Sequence, residues 1–243
     1  EVLDGYMHFL DEVATNVKGL GVEHVRVWSD LLSISKHVTL PKDIEVAYWT
    51  KWHTSMPSAK TLVDEGHKLL NVHDGYFYYV LPRCSTCAYH ERVPASTILA
   101  EWTPTKFSGN SEPVAASSVT GASYAIWADK PDVETEQQVA DGIRLPVTAM
   151  VERTWNPNVQ PDFDHARWET VVNVLDGKAD ATELLPPSTD PTTRPALVPL
   201  PAEMQMGEGT FALTADTRIV APAEARSVAN LLRDRVATAT GYP

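Results

Sequence analysis

The chain has 243 residues, 43% of them hydrophobic, with a formal net charge of −12 and a pI near 5.0. That acidity excludes the basic stripe a nucleic-acid binder needs to neutralise phosphates, and it disfavours an anionic membrane surface. No apolar run approaches the roughly 18 residues of a membrane-spanning helix, so no membrane insertion is expected. The first residue, Glu1, opens directly into a helical pattern and is not Met, so the sequence reads as a piece of a longer chain and its lack of a leader says nothing about localisation.

Met7, Leu10, Val13, Val17 and Leu20 recur at helical spacing and predict an amphipathic helix over 3–20, stopped by Gly19 and Gly21. "HVRVW" (24–28) and "IEVAYW" (44–49) read as strands, and "PSAKTLVDEGHKL" as a helix from Pro57 to about Lys68. "LLNV" (69–72) and "YFYYVL" (76–81) follow as extended segments, "ASTILAEW" (95–102) as a short helix and "SYAIWA" (123–128) as a strand. A long helical pattern from Val133 to about Trp155 is expected to break or kink at Pro146, and a further helix covers 162–177. Strands separated by helices predict an α/β fold with a parallel sheet, either open and doubly wound or a (β/α)8 TIM barrel. With about four βα units and no glycine-rich phosphate fingerprint, the pattern suits the C-terminal half of a barrel.

The composition then shifts. "LLPPSTDPTTRPALVPLP" carries six prolines and no periodicity, which reads as a linker. "GTFALTADTRIVA" predicts a hairpin or two short strands, and "AEARSVANLLRDRVATATG" a helix. The expected organisation is a partial catalytic barrel over 1–182, a Pro-rich linker over 183–196 and part of a small α/β accessory domain over 197–243.

Cys84 and Cys87, the two cysteines, form a lone C-x-x-C with His90 nearby. They fit an inert loop pair or small-loop disulfide, half of a zinc site lacking its second ligand pair, or a redox motif; the setting after Pro82 favours the first, and no metal is assigned.

The strand ends carry a recurring cargo: Trp28 with Asp30, Trp49 with Trp52, the tyrosines 76, 78 and 79, and Trp127 with Asp129. In a barrel those ends line the active-site mouth. Aromatic faces there stack on the apolar faces of sugar rings, while carboxylates accept hydrogen bonds from sugar hydroxyls. Core packing is the alternative for any one of these rings.

The ordered series "VRVWSD…IEVAYWTKW…GHKLLNVHDGYFYYVLP…ILAEWTP…ASYAIWADK…AMVERTWNP" resembles the second half of the catalytic barrel of glycoside hydrolase family 20, the β-N-acetylhexosaminidases, over roughly residues 1–157. The tail from Leu197 resembles the start of the small α/β domain that precedes such a barrel. The resemblance implies hydrolysis of terminal β-linked N-acetylglucosamine or N-acetylgalactosamine by substrate-assisted retaining catalysis, with no cofactor. It implies that Trp28, Trp49 and Trp127 cage the acetamido methyl, that Tyr78 (or, next, Tyr76) hydrogen-bonds the acetamido oxygen, and that Asp129 grips the outer hydroxyls where the family usually carries a glutamate. Asp30 stands with them at the rim, as a substrate contact or in a purely structural role.

The family's Asp-Glu acid pair should end an earlier strand. The two such dipeptides present, Asp11-Glu12 and Asp64-Glu65, sit in helical patterns and read as solvated faces. The pair is therefore expected upstream of Glu1 and the isolated fragment to be inactive, a non-catalytic carbohydrate-binding module being the alternative. His73 and Asp74 invite a general-base reading, but a rim or structural role fits better. The expected partners are a glycan ending in N-acetylhexosamine and the remainder of the protein's own chain, and the expected location is extracellular or at the cell surface.

Overall fold

The computed structural model describes residues 2–30, 32, 37–81, 91–158, 163–178, 203–205, 207, 209 and 211–242. Cys84, Cys87, His90 and the 183–196 linker lie outside those residues. The chain forms two units, Glu1–Glu203 and Met204–Pro243.

In the first unit, helix α1 (Val2–Gly19) carries Asp4 in its first turn and Lys18 in its last, the arrangement that complements the helix dipole. Its buried residues are Met7 and Ala14, with Leu10 packed against them. Val13 is 39% exposed and Leu20 86%, so neither joins the apolar stripe. Leu20 lies past the helix end, where Gly21 takes a positive φ of 91°.

Strands β1 (Arg26–Trp28), β2 (Glu45–Tyr48) and β3 (Leu69–Asn71) pair in parallel in sequence order, with helix α2 (Ala59–Asp64) between β2 and β3. Ser58 caps α2 by accepting a hydrogen bond from the Thr61 backbone. The chain next makes one turn of helix, α3 (Asp74–Phe77), and re-enters an extended path as β4 (Tyr78–Val80). The aromatic run 76–81, expected to be extended throughout, is therefore helical in its first two residues. The cause is His73, whose Nδ1 accepts from the Gly75 backbone and caps the turn.

Helix α4 (Ala95–Glu101) leads to β5 (Val119–Ala122), a strand not anticipated from the sequence. Two residues later the same path continues as β6 (Ala125–Trp127). β5 pairs with β3, and β6 pairs with β4, both in parallel. The segments 69–80 and 119–127 thus run alongside each other in two ladders, and the Ser123 backbone N–H to the Asn71 carbonyl and Leu81 N–H to the Trp127 carbonyl extend the pairing. The result is four parallel chain segments side by side in sequence order.

Helix α5 (Glu136–Trp155) begins three residues later than the apolar pattern suggested, because Thr135 and Gln138 form a reciprocal capping box. It runs as a single helix through Pro146, which is buried. Helix α6 (His165–Leu175), capped by Asp164, packs Trp168 and Val172 into a core with Phe77, Ile98, Leu99, Trp102 and Ala149.

The alternation of β2 separates two layers. Val46 and Tyr48 point into the core that holds Met7, Leu62, Leu69 and Phe107. Ala47, with Trp49 packed beside it, belongs to a small cluster on the other side with Val72 and Tyr78.

The second unit contains a turn at 214–217, closed by the Thr217 N–H on the Thr214 carbonyl, and helix α7 (Arg226–Thr240), which ends at Gly241 with a φ of 73°. The hairpin expected in "GTFALTADTRIVA" does not form among the described residues: none of 211–222 is in a strand. A lone two-stranded hairpin is marginal without a third strand or a packed face, and Phe211 and Val220 are 80% and 93% exposed here.

Candidate functional site

The period-two rule that sorts β2 sorts every strand end. On the face of Ala47 and Trp49 lie Trp28 and Asp30 at the end of β1, Tyr78 and Val80 on β4, and Trp127 and Asp129 at the end of β6. Together they line one open cleft of about 480 Å³. The cleft brings together Trp28, Asp30, Trp49, Tyr78, Trp127 and Asp129 of the residues the sequence pointed to, without Trp52, Tyr76 or Tyr79, and Val80 is an addition that the i, i+2 spacing from Tyr78 carries with it.

The rings form a continuous chain. Trp49 stacks on Tyr78 with centroids 5.4 Å apart and an interplanar angle of 3°. Tyr78 tilts against Trp127 at 5.7 Å and 55°, and Trp127 against Trp28 at 6.1 Å and 47°. Trp28 and Trp127 are 44% and 39% exposed, whereas Tyr78 is 7% exposed. Large apolar rings left this open at two strand ends are poor core residues and good stacking surfaces.

The two acids differ. Asp30 accepts a hydrogen bond from the Trp49 indole N–H at 2.8 Å. Asp129 is exposed, and no hydrogen bond or ion pair joins it to another described residue.

Neighbouring candidates fall outside the cleft. Tyr76 sits on α3, not on the strand face of Tyr78; its hydroxyl donates to Glu101 at 3.0 Å and accepts from Lys106 at 2.9 Å. Tyr79, on the opposite face of β4, donates to Glu134, with the Arg92 guanidinium 4.1 Å over its ring. Trp52 is 71% exposed and packs edge-on to His53. His73 is committed as the α3 cap; burial holds its pKa down at about 4, so it is neutral near pH 7. Asp74 accepts from Ser108 and from the Gly75 backbone. Asp11 and Glu12 lie on α1, while Asp64 ends α2 and pairs with Lys60 at i, i+4. Among the described residues no group of three or more His, Cys, Asp or Glu is placed to hold a metal, and no helix is long and apolar enough to cross a membrane.

A row of aromatic rings with an exposed carboxylate, set at the carboxyl ends of parallel strands, offers stacking faces and a hydrogen-bond acceptor on one wall. Comparison with known proteins adds the family. The family described as glycosyl hydrolase family 20, catalytic domain, matches residues 2–158, and the chain belongs to it. A lacto-N-biosidase of Bifidobacterium bifidum is 26% identical over 159 residues, which is 63% of this chain and 13% of that protein. Among solved structures, dispersin B is similar at a TM-score of 0.53 and 18% identity, covering 63% of this chain and 49% of that one. A β-N-acetylhexosaminidase from Bacteroides fragilis is similar at 0.56 and 17%, covering 73% and 35%. The tandem catalytic modules of the pneumococcal exo-β-D-N-acetylglucosaminidase StrH give 0.51 and 16%, covering 75% and 48%. The chain therefore spans less than half the length of each of these relatives, and at these identities the structural likeness speaks for the fold alone.

Proposed function

We propose that this chain supplies the binding wall of an exo-β-N-acetylhexosaminidase that removes terminal β-linked N-acetylglucosamine or N-acetylgalactosamine. The observation that carries the reading is the single cleft in which Trp28, Trp49, Tyr78, Trp127 and Asp129 converge from four strands. In it the three indoles cage the acetamido methyl, the Tyr78 hydroxyl donates to the acetamido oxygen, and Asp129 accepts from the sugar's outer hydroxyls. Catalysis is substrate-assisted: the acetamido oxygen attacks the anomeric carbon as the glycosidic oxygen takes a proton from an acid and leaves, and water then opens the oxazolinium with retention.

Asp11-Glu12 lies on α1 and Asp64-Glu65 at the end of α2, neither in the cleft; on this reading the proton donor and its aspartate partner belong to a part of the fold outside these 243 residues. Four parallel segments in sequence order accord with half of a (β/α)8 barrel, residues 1–182, followed by a linker at 183–196 and part of an accessory domain at 197–243. By family resemblance the parent acts outside the cell or at its surface. Asp129 is one methylene shorter than the family's usual glutamate, so its grip on the hydroxyls is shifted, bridged by water or suited to a different sugar.

The same placement of the dipeptides favours one rival, a non-catalytic carbohydrate-binding module. A chromogenic N-acetyl-β-glucosaminide separates the two. The intact parent hydrolyses it and the 243-residue chain alone does not; a parent that binds the sugar without turnover establishes the module instead.

A further inference from the structure

The two carboxylates of the cleft do different jobs. We infer that Asp30 is a positioning residue that fixes the Trp49 indole against Tyr78, leaving Asp129 as the carboxylate that meets the sugar. The inference rests on the reading of the cleft as an N-acetylhexosamine site, but the geometry behind it is independent of the sugar.

Trp49 follows β2 directly, so the strand ladder does not hold its ring. Beyond its packing against Ala47 and Val72, two directional contacts fix it. Its face lies parallel to Tyr78, and its N–H is aimed at Asp30 Oδ2, 2.8 Å away. Stacking alone leaves an indole free to slide and rotate in its own plane. A hydrogen bond from the ring edge removes that freedom, because the N–H lies in the ring plane and its donor direction is fixed. The bond is also charge-assisted, since Asp30 is an acceptor-only group when ionised. Asp30 comes from the end of β1 and Tyr78 from β4, so Trp49 is tied to two different strands. One accepting site on Asp30 Oδ2 is taken by Trp49 and fixes the orientation of that carboxylate, whereas all of Asp129's accepting sites remain open to the sugar.

The relationship predicts a pattern of substitutions in the full 243-residue chain, with N-acetylglucosamine as the probe. Asp30→Asn keeps an acceptor oxygen at the same place, and binding stays within about twofold of the parent. Asp30→Ala frees the indole and weakens binding about tenfold, or about 1.4 kcal/mol. Trp49→Phe, which has no N–H, weakens it at least as much, and Asp30→Ala added to Trp49→Phe costs nothing further, because the two act through one contact. If Asp30 instead binds the sugar itself, Asp30→Asn is as damaging as Asp30→Ala, and the loss in the double variant is the product of the single losses; either result overturns the inference. The Trp49 indole N–H resonance in a 1H–15N spectrum supplies the readout that needs no sugar. It moves upfield in Asp30→Ala and stays in place in Asp30→Asn. An unmoved resonance in Asp30→Ala sinks the positioning role even if the sugar binds. A chain that ignores N-acetylglucosamine while the resonance moves sinks the sugar reading and leaves the positioning role standing.

Discussion

The ring of Trp49 lies parallel to that of Tyr78, at 3° and 5.4 Å between centroids, although 28 residues of chain and a helix–strand unit separate them. The stack joins the end of β2 to β4 across the cleft and buries Tyr78 to 7% exposure while its face remains part of the cleft wall. On the proposed reading the ring serves the stack and the hydroxyl the sugar, and substitution separates the two.

Tyr78→Phe keeps the stack and deletes the hydroxyl. In the protein that carries the acid pair, turnover of a chromogenic N-acetyl-β-glucosaminide falls by about 10²-fold, the usual cost of one hydrogen-bond donor to a charge-developing oxygen. Tyr78→Ala also removes the ring, and stability falls by about 2–4 kcal/mol as a buried aromatic is lost. Unchanged turnover in Tyr78→Phe would remove Tyr78 from the acetamido site.

His73 makes the fold acid-sensitive. Burial depresses its pKa to about 4, against an ordinary value near 6.5 in the unfolded chain, so between those values the unfolded state holds the extra proton. Stability is highest above about pH 6.5 and is lost as the pH falls toward 4, by about 2 kcal/mol between pH 7 and pH 5. Burial also lowers the pKa of His67, which adds to the slope in the same direction. His73→Asn retains a cap acceptor and leaves only the smaller dependence. Urea unfolding at the two pH values measures it; a His73→Asn variant with the parent's full pH dependence places the sensitivity elsewhere.

Gly109 joins two anchors of the first unit. Ser108 donates to Asp74, and the Asn110 side chain accepts from the Ala59 backbone and donates to the Tyr48 hydroxyl. The glycine has a φ of 66°, and a Cβ there would come within 2.8 Å of Lys51 Cβ and 3.0 Å of the Lys51 carbonyl oxygen. Both the positive φ and the close backbone penalise a side chain, so Gly109→Ala costs about 2–3 kcal/mol in urea unfolding. A change under about 0.5 kcal/mol, the range of an ordinary surface substitution, contradicts that reading of the loop.

The cleft was largely legible in the sequence because its logic is local. Trp28-x-Asp30 and Trp127-x-Asp129 sit at the ends of apolar strands, and spacing by two puts each pair on one face. The Trp49–Asp30 bond was not legible, since no spacing rule links residue 30 to residue 49. β5 was missed because Val119-Thr-Gly-Ala122 has neither an apolar run nor clear alternation; only its pairing with β3 makes it a strand. The same tertiary dependence explains the opposite error in "GTFALTADTRIVA", which reads as a hairpin or two short strands but finds no ladder among the described residues. In the tyrosine-rich segment, β propensity outweighed a capping signal at His73 that occupies one residue.

On the proposed reading the cleft recognises the acetamido group of a terminal N-acetylhexosamine. The most direct test compares N-acetylglucosamine with glucose, which differ only at C2, by following the indole N–H resonances of Trp28, Trp49 and Trp127 in the 243-residue chain. N-acetylglucosamine is expected to shift all three in a saturable manner, and glucose at the same concentrations to leave them in place. Equal shifts with both sugars, or none with either, would contradict that reading.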